Sequence, residues 1–463
     1  MIGIIGVVIS LVLLIWLAYK GWSVILIAPV LALIASVFVI FEGGEFHMMA
    51  IYTETFMPNL AAYIKANFPI FLLGAVFGKI MDLSGSAKAI AEFIVEKIGH
   101  GKELWAVVIS CAIITYGGVS LFVAAFAIYP IGAALFKESD IPKRLLPPAI
   151  ALGAFTFTMT ALPGTPQIQN TIPMSYFGTD AFAAPILGLV AAAIMFFGGM
   201  LWLTSRLKAA KARGEGYGDH QNENLTEIDI SKLPPFITSI TPIIMVILVN
   251  LVCSKWLLPS MDSSYLETDY NTTYASVGGT WSLVIGLVVG IILAVVFNYN
   301  RFEKGIIESL KDGANSSLLA IMNTASEVGY GNVIKTLPAY GLLAAGLLGI
   351  SANPLIGEAI ASSVMAGVTG SASGGLSIAL ATFADNFKAA ADAAGISYEV
   401  LHRVASVACG GLDTLPHNGA VITLLMATSM THKQCYLNIG MCTVVIPTIA
   451  TVAIIILGSL GVC

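Results

Sequence analysis

Seven stretches of this chain, residues 2–18, 24–41, 104–136, 182–204, 236–254, 280–298 and 438–462, are almost free of charge. Each is long enough to cross a hydrocarbon core, which takes roughly 17–25 residues of helix. In a bilayer every backbone N–H and C=O must find its partner inside the protein, so only helices and closed barrels can span it. The runs are much longer than barrel strands, which take about 9–11 residues. The expected fold is therefore an all-α polytopic membrane protein. With the shorter, broken runs between them, the stretches predict about ten to twelve transmembrane or half-membrane helices.

Composition agrees: 57% of the 463 residues are hydrophobic and 11% charged, against roughly a quarter charged in soluble domains. The first run lacks a basic leader and a small-residue cleavage pattern and is followed at once by a second span, so it reads as a retained helix. Cys111, Cys253, Cys409, Cys435, Cys442 and Cys463 lie in or beside apolar segments without a Cys-x-x-Cys, which reads as packing and implies neither disulfides nor a metal. A net charge of −5 argues against nucleic acid as a partner. His-Glu-x-x-His, Gly-x-Ser-x-Gly and a nucleotide-binding Gly-x-x-x-x-Gly-Lys-[Ser/Thr] loop are all missing, since "GHGKE" at 99–103 lacks the spacing and the hydroxyl. These absences weigh against an intramembrane enzyme or a primary pump, and no cofactor is implied.

Basic residues set an orientation. Arg206, Lys208, Lys211 and Arg213 open the segment 205–232, and Arg301, Lys304 and Lys311 follow the next helix pair, whereas 255–279 holds one lysine against Asp262, Glu267 and Asp269. The positive-inside rule puts the first two regions in the cytoplasm and the third outside, and the count run backwards puts the N-terminus outside. Landmarks then recur in order: "VFGKIM" (76–81) with "GYGNVI" (329–334), "YGGVSLFVAAF" (116–126) with "SGGLSIALATF" (373–383), and "IPKRLLPPAIA" (141–151) with "ISYEVLHRVAS" (396–406). The expectation is two inverted-topology repeats, 1–204 and 236–463, joined by a cytoplasmic linker, 205–235, an arrangement common in secondary transporters.

The last landmark pair is "TALPGTPQIQN" (160–170) and "DTLPHNGAVIT" (413–423), whose prolines 163 and 416 are 253 positions apart. A turn at membrane depth survives only where it is buried in protein or lines a wet cavity. Thr165 and Asn418, at the same offset, are the expected N-caps of new helices, with Pro166 at a first helical position. Helix starts carry open N–H groups and the positive dipole end, which attract an anion. Gly164, Thr165, Gln167 and Asn170 on one side, and Thr414, His417, Asn418 and Gly419 on the other, are the candidate substrate ligands. A second matched pair, Gly117, Gly118 and Ser120 with Ser371, Ser373, Gly374 and Gly375, reads as hairpin tips that approach substrate or a small cation. Close helix packing is the competing reading of those glycines.

Ionisable groups in apolar segments are functional candidates. Asp413, His417, Asp385 and Lys79 are the candidate ion-coupling residues. Glu327 and Lys388 also fall at this depth, Lys79 has a possible helical partner in Asp82, and His402-Arg403 and Lys143-Arg144 read as interfacial anchors. Asp413 beside His417 suggests proton coupling. The tips hold more neutral hydrogen-bonding groups than acids, which favours an organic anion over a cation/proton antiport.

On "GAVFGKIMDLSGSAKAIA" (74–91), the "YGGVSLFV" hairpin and both proline tips, the chain resembles the gluconate:proton symporter (GntP) family of the ion-transporter superfamily over nearly its full length. Its tips depart from those of the gluconate carriers: the first reads "LPGTPQIQN", and the histidine stands in the second, at His417. The resemblance implies proton-driven symport of a small hydroxy-carboxylate of the gluconate, 3-hydroxybutyrate or lactate class, with a sodium-coupled carrier as the alternative. It also implies a multi-pass protein of the inner membrane, homodimeric, whose hairpins move against a scaffold.

Overall fold

The computed structural model describes residues 2–20, 22–98, 101–220, 230–302, 305–351 and 353–463. Lys304, residues 99 and 100 of "GHGKE" and residues 221–229 of the linker lie outside them. Among the described residues there are helices and no strands. Two helices lead, α1 (Ile2–Tyr19) and α2 (Val24–Val37). The short α3 (Met48–Ala50) runs through one wide turn, Ile51–Phe56, into the long α4 (Met57–Leu83). The first half continues with α5 (Ser86–Ile98), α6 (Glu103–Tyr116), α7 (Leu121–Glu138), α8 (Leu146–Ala154), α9 (Phe157–Thr160), α10 (Ile168–Phe177) and α11 (Pro185–Ala212).

The rest of the chain follows in a similar succession. It runs α12 (Phe236–Val252), the short α13 (Tyr265–Tyr270), α14 (Tyr274–Phe297), the long α15 (Ile306–Thr336) and α16 (Tyr340–Leu348). It ends with α17 (Pro354–Thr369), α18 (Ala372–Ala394), α19 (Tyr398–Leu412), α20 (Gly419–Ala427), α21 (His432–Gly440) and α22 (Ile446–Ser459). The ends of α4 and α15, and those of α6 and α17, are 253 positions apart, the offset of the two Leu-Pro sequences.

Local chemistry makes the turns. The run 104–136 folds back on itself because Gly118 adopts φ +95° and Ser120 accepts a hydrogen bond from Phe122 N at the start of α7. In the second hairpin Gly370 ends α17 at φ +63°, and Ser371 caps α18 by accepting from Gly374 N at 3.1 Å. A left-handed residue carries no Cβ penalty when it is glycine.

The halves interleave. α4 packs along α15, but also along α14 of the other half, while α15 packs along α2. The first arms of the broken helices, α8 and α19, stay with their own hairpins; the second arms cross over, α10 onto α18 and α20 onto α7. Each break is thus where the chain passes from one hairpin unit to the other. Among the described residues seven helices are long and apolar enough to cross a membrane, and large apolar side chains such as Leu201, Ile237, Val296 and Ile456 point outward, where lipid solvates them. Connections are tied across the chain: Arg144 bonds Glu215, Arg301 bonds Lys232 O, and Asp180, which pairs with Lys255, lies by one cleft with Glu399, which accepts from Ala184 N.

Candidate functional site

The first break is fastened to its own hairpin tip. Gln167 Nε2 donates to Thr115 O at 2.7 Å and Val119 O at 3.1 Å, and Tyr116 Oη donates to Pro163 O at 2.7 Å. A Cβ on Gly118 would stand 2.7 Å from Pro166 Cγ, so a larger residue would push the tip off the break. Gly164, at φ +83°, has the Phe182 ring over it and donates to Ala181 O at 2.8 Å. Thr165 is not the cap expected of it. α10 begins at Ile168, so Gln167 holds the N-cap position, and Thr165 Oγ1 meets Gln167 N only at 3.5 Å. Gln167 spends its amide on the hairpin instead, and no side chain caps α10. Its N-terminus lies buried: Thr165 is 0% and Gln167 7% exposed.

Asn170 closes this break from within. Its Nδ2 donates to Thr165 O and Ala181 O, both at 2.9 Å, and its Oδ1 accepts from Arg403 Nη1 at 2.9 Å and faces His402 Nε2 at 3.3 Å. Arg403, on α19 of the other half, is wholly buried and also donates to Thr160 O and, through Nε and Nη2, to Ala183 O. The expectation that His402 and Arg403 anchor the interface is therefore overturned. Both are buried, and all the bonds just described go to the first break and the segment after it. Among the described residues no carboxylate bonds Arg403 directly; its hydrogen bonds go to carbonyl and amide oxygens, and Asp180 and Glu399 are the acidic groups that act on its charge from further off.

The second break repeats the plan with different residues. Asn418 caps α20 as expected, accepting from Val421 N at 2.9 Å, while its Nδ2 donates to Asp413 O and Gly370 O, both at 2.9 Å. His417 Nε2 lies 3.0 Å from Gly367 O, beside the tip of the second hairpin. Thr414 is buried and bonded to Thr443 Oγ1 at 2.7 Å. Asp413 is buried, with Oδ1 lacking a hydrogen-bond partner. Gly419 is exposed, with open space around it. The breaks meet through α19: Ser406 Oγ donates to Thr160 O at 2.8 Å, and Gly410, one turn before Asp413, packs on Thr160.

Other candidates fall elsewhere. Gly117 is closed off by Ile243, and a Cβ on Gly375 would stand 2.1 Å from Ala366 N, so both glycines sit at close helix contacts. Ser371 and Ser373 face each other at 3.5 Å, and Gly374 faces the carboxylate of Glu327. Asp385 is largely exposed and paired with Lys335. Lys79 is half-buried on α4, three residues before Asp82 on the same helix. Glu358, not singled out in the sequence, is completely buried on α17 with both carboxyl oxygens and the neighbouring Ser362 Oγ unpartnered.

Comparison with known proteins fits this architecture. The family model of GntP family permeases matches residues 2–460. The chain belongs to the GntP permease family. This permease is 44% identical over 469 residues to the uncharacterized transporter YxjC of Bacillus subtilis (strain 168), covering 98% of both chains. A gluconate permease of Bacillus licheniformis is 45% identical over 74 residues, 16% of each chain. Among solved structures, the YdaH transporter of Alcanivorax borkumensis superposes with a TM-score of 0.58 at 15% identity, over 90% of this permease and 88% of that chain. MtrF of Neisseria gonorrhoeae gives 0.57 at 15% identity, over 90% and 84%. The GntP-family chain is thus a multi-pass membrane transporter of the same fold as these two proteins.

Proposed function

We propose that this permease is a secondary active transporter that carries a small hydroxy-carboxylate, of the gluconate, 3-hydroxybutyrate or lactate class, together with protons by alternating access. The observation that carries the reading is the electrostatics of the first break. An uncapped helix N-terminus lies beside a buried arginine that, among the described residues, no carboxylate bonds directly. Open N–H groups, the positive dipole end and a buried guanidinium together favour a carboxylate. Gln169 Oε1, buried without a partner on the first turn of α10, is available to accept from a substrate hydroxyl.

The asymmetry of basic residues and the recurring landmarks carry the further proposal of repeats of opposite topology, 1–204 and 236–463 about the linker 205–235, in the cytoplasmic membrane with the N-terminus outside. In that arrangement Arg144 and Glu215 share the inner face, and Asp180, Lys255 and Glu399 the outer. The family resemblance extends the proposal to a homodimer, to be read by native mass spectrometry. The deciding test is uptake of radiolabelled gluconate, 3-hydroxybutyrate and lactate into proteoliposomes under an imposed pH gradient, with and without sodium. Accumulation of one of them that a protonophore collapses is the expected result. Accumulation driven by sodium alone would overturn proton coupling, and failure with all three would overturn the substrate class.

A further inference from the structure

Glu327 stands where α15 meets the second hairpin. It is 7% exposed, and its two carboxyl oxygens lie 2.6 and 2.7 Å from the position a Cβ on Gly374 would take, in the first turn of α18. Room for the carboxyl therefore depends on glycine at 374. Among the described residues no ion pair reaches it and no side chain donates a hydrogen bond to it. Beside it, Tyr63 Oη from α4 and Ser377 Oγ from α18 are neighbours, both buried and neither in a hydrogen bond of normal geometry. The titratable neighbour of Glu327 is Tyr63, which Tyr176 of α10 approaches in turn, and Glu54, on the Ile51–Phe56 turn packed along α15, is exposed. α2 carries no ionisable side chain, Tyr340 of α16 bonds Thr382 O, and Asp385, three turns further along α18, is paired with Lys335.

We propose that Glu327, with Tyr63, Ser377 and the first turn of α18, is the proton-binding site that couples proton entry to substrate. This inference rests on the transport reading above and adds the coupling group to it. A buried carboxylate without a cation or donor is strongly disfavoured, so the acid is held neutral unless something compensates its charge. An anionic substrate entering the same interior repels an ionised Glu327 and tolerates a protonated one. Proton and substrate then each favour binding of the other by the same factor, which is symport expressed as linkage. Tyr63 and Ser377 are placed to accept or relay that proton, and the remaining exposure of Glu327 provides its path.

The test is substrate binding as a function of pH, measured by scintillation proximity on purified full-length protein with whichever of the three labelled acids is taken up. Wild-type affinity should rise about 5- to 150-fold as the pH is lowered, the range of typical coupling. Glu327→Gln mimics the neutral acid, so it should bind at high pH as tightly as wild type does at low pH. It should exchange substrate but lose proton-driven accumulation. Gly374→Ala, which crowds the carboxyl, should shift the pH dependence without abolishing binding. A folded Glu327→Gln protein that keeps the wild-type pH dependence, or that fails to bind at every pH, overturns the proposal, as does a wild-type dependence on sodium in place of protons. Wild-type protein that binds none of the three acids overturns the transport reading itself.

Discussion

Asn418→Ala should open the second break without unfolding the protein. The side chain makes three hydrogen bonds there: it accepts from Val421 N at 2.9 Å and donates to Asp413 O and Gly370 O, both at 2.9 Å. Loss of an N-cap costs about 1 kcal/mol, and loss of each donated bond about 1 kcal/mol more. The sum, about 3 kcal/mol, corresponds to a more than hundredfold increase in local opening, at about 1.4 kcal/mol per decade. Hydrogen exchange followed by mass spectrometry on the peptide 413–427 reads this directly, because local opening controls exchange there. Asn418→Ser keeps the cap and loses only the two donations, so its exchange should fall between wild type and alanine. If the peptide exchanges at the wild-type rate in a folded Asn418→Ala protein, these bonds do not hold the break and the argument fails.

Arg403→Met should sharply reduce the yield of folded protein on size exclusion, since three acceptors of the first break lose a charged donor, each bond worth about 1.5–3 kcal/mol. Adding Asn170→Leu to Arg403→Met should cost less than the sum of the two single changes, because they share one network. Hydrogen bonds from Arg144 hold the Glu215 carboxyl below the usual carboxylate range. Their stabilisation is complete above that range, about pH 4.3, and is lost as the pH falls through the depressed folded value. Exchange of the segment 213–220, corrected for intrinsic pH effects, should therefore rise on acidification in wild type and lose that step in Glu215→Gln. Ser263→Cys should react with an impermeant thiol reagent from outside while Lys211→Cys should not; labelling of both from one side would refute the proposed topology.

The features legible in the sequence were those set by local bonding. Both hairpin tips follow from glycine and serine at fixed places, and the Asn418 cap from a side chain that reaches only three residues along its own backbone. Thr165 was misread because the cap competed with a distant attraction: Gln167 turned to carbonyls 48 and 52 residues earlier, and the helix started later. Arg403 looked interfacial because nothing near it in the sequence announces the carbonyls of Thr160 and Ala183 that take its charge. Asp385 looked buried because its helix is apolar, yet Lys335, 50 residues earlier, meets it at the surface. Apolar pattern locates a helix in the bilayer; it does not say which half's hairpin the helix will lie against.

That exchange of partners sets the order of assembly. α4 is complete at Leu83, but its companion α15 ends at Thr336, and α14, which lies along its other side, also belongs to the second half. At about 5–20 residues per second of synthesis, the surface that α4 will bury waits roughly 10–50 s facing lipid. The first half therefore enters the bilayer as an open scaffold, and neither break can close around its final neighbours until the helices α18 to α20 have been made.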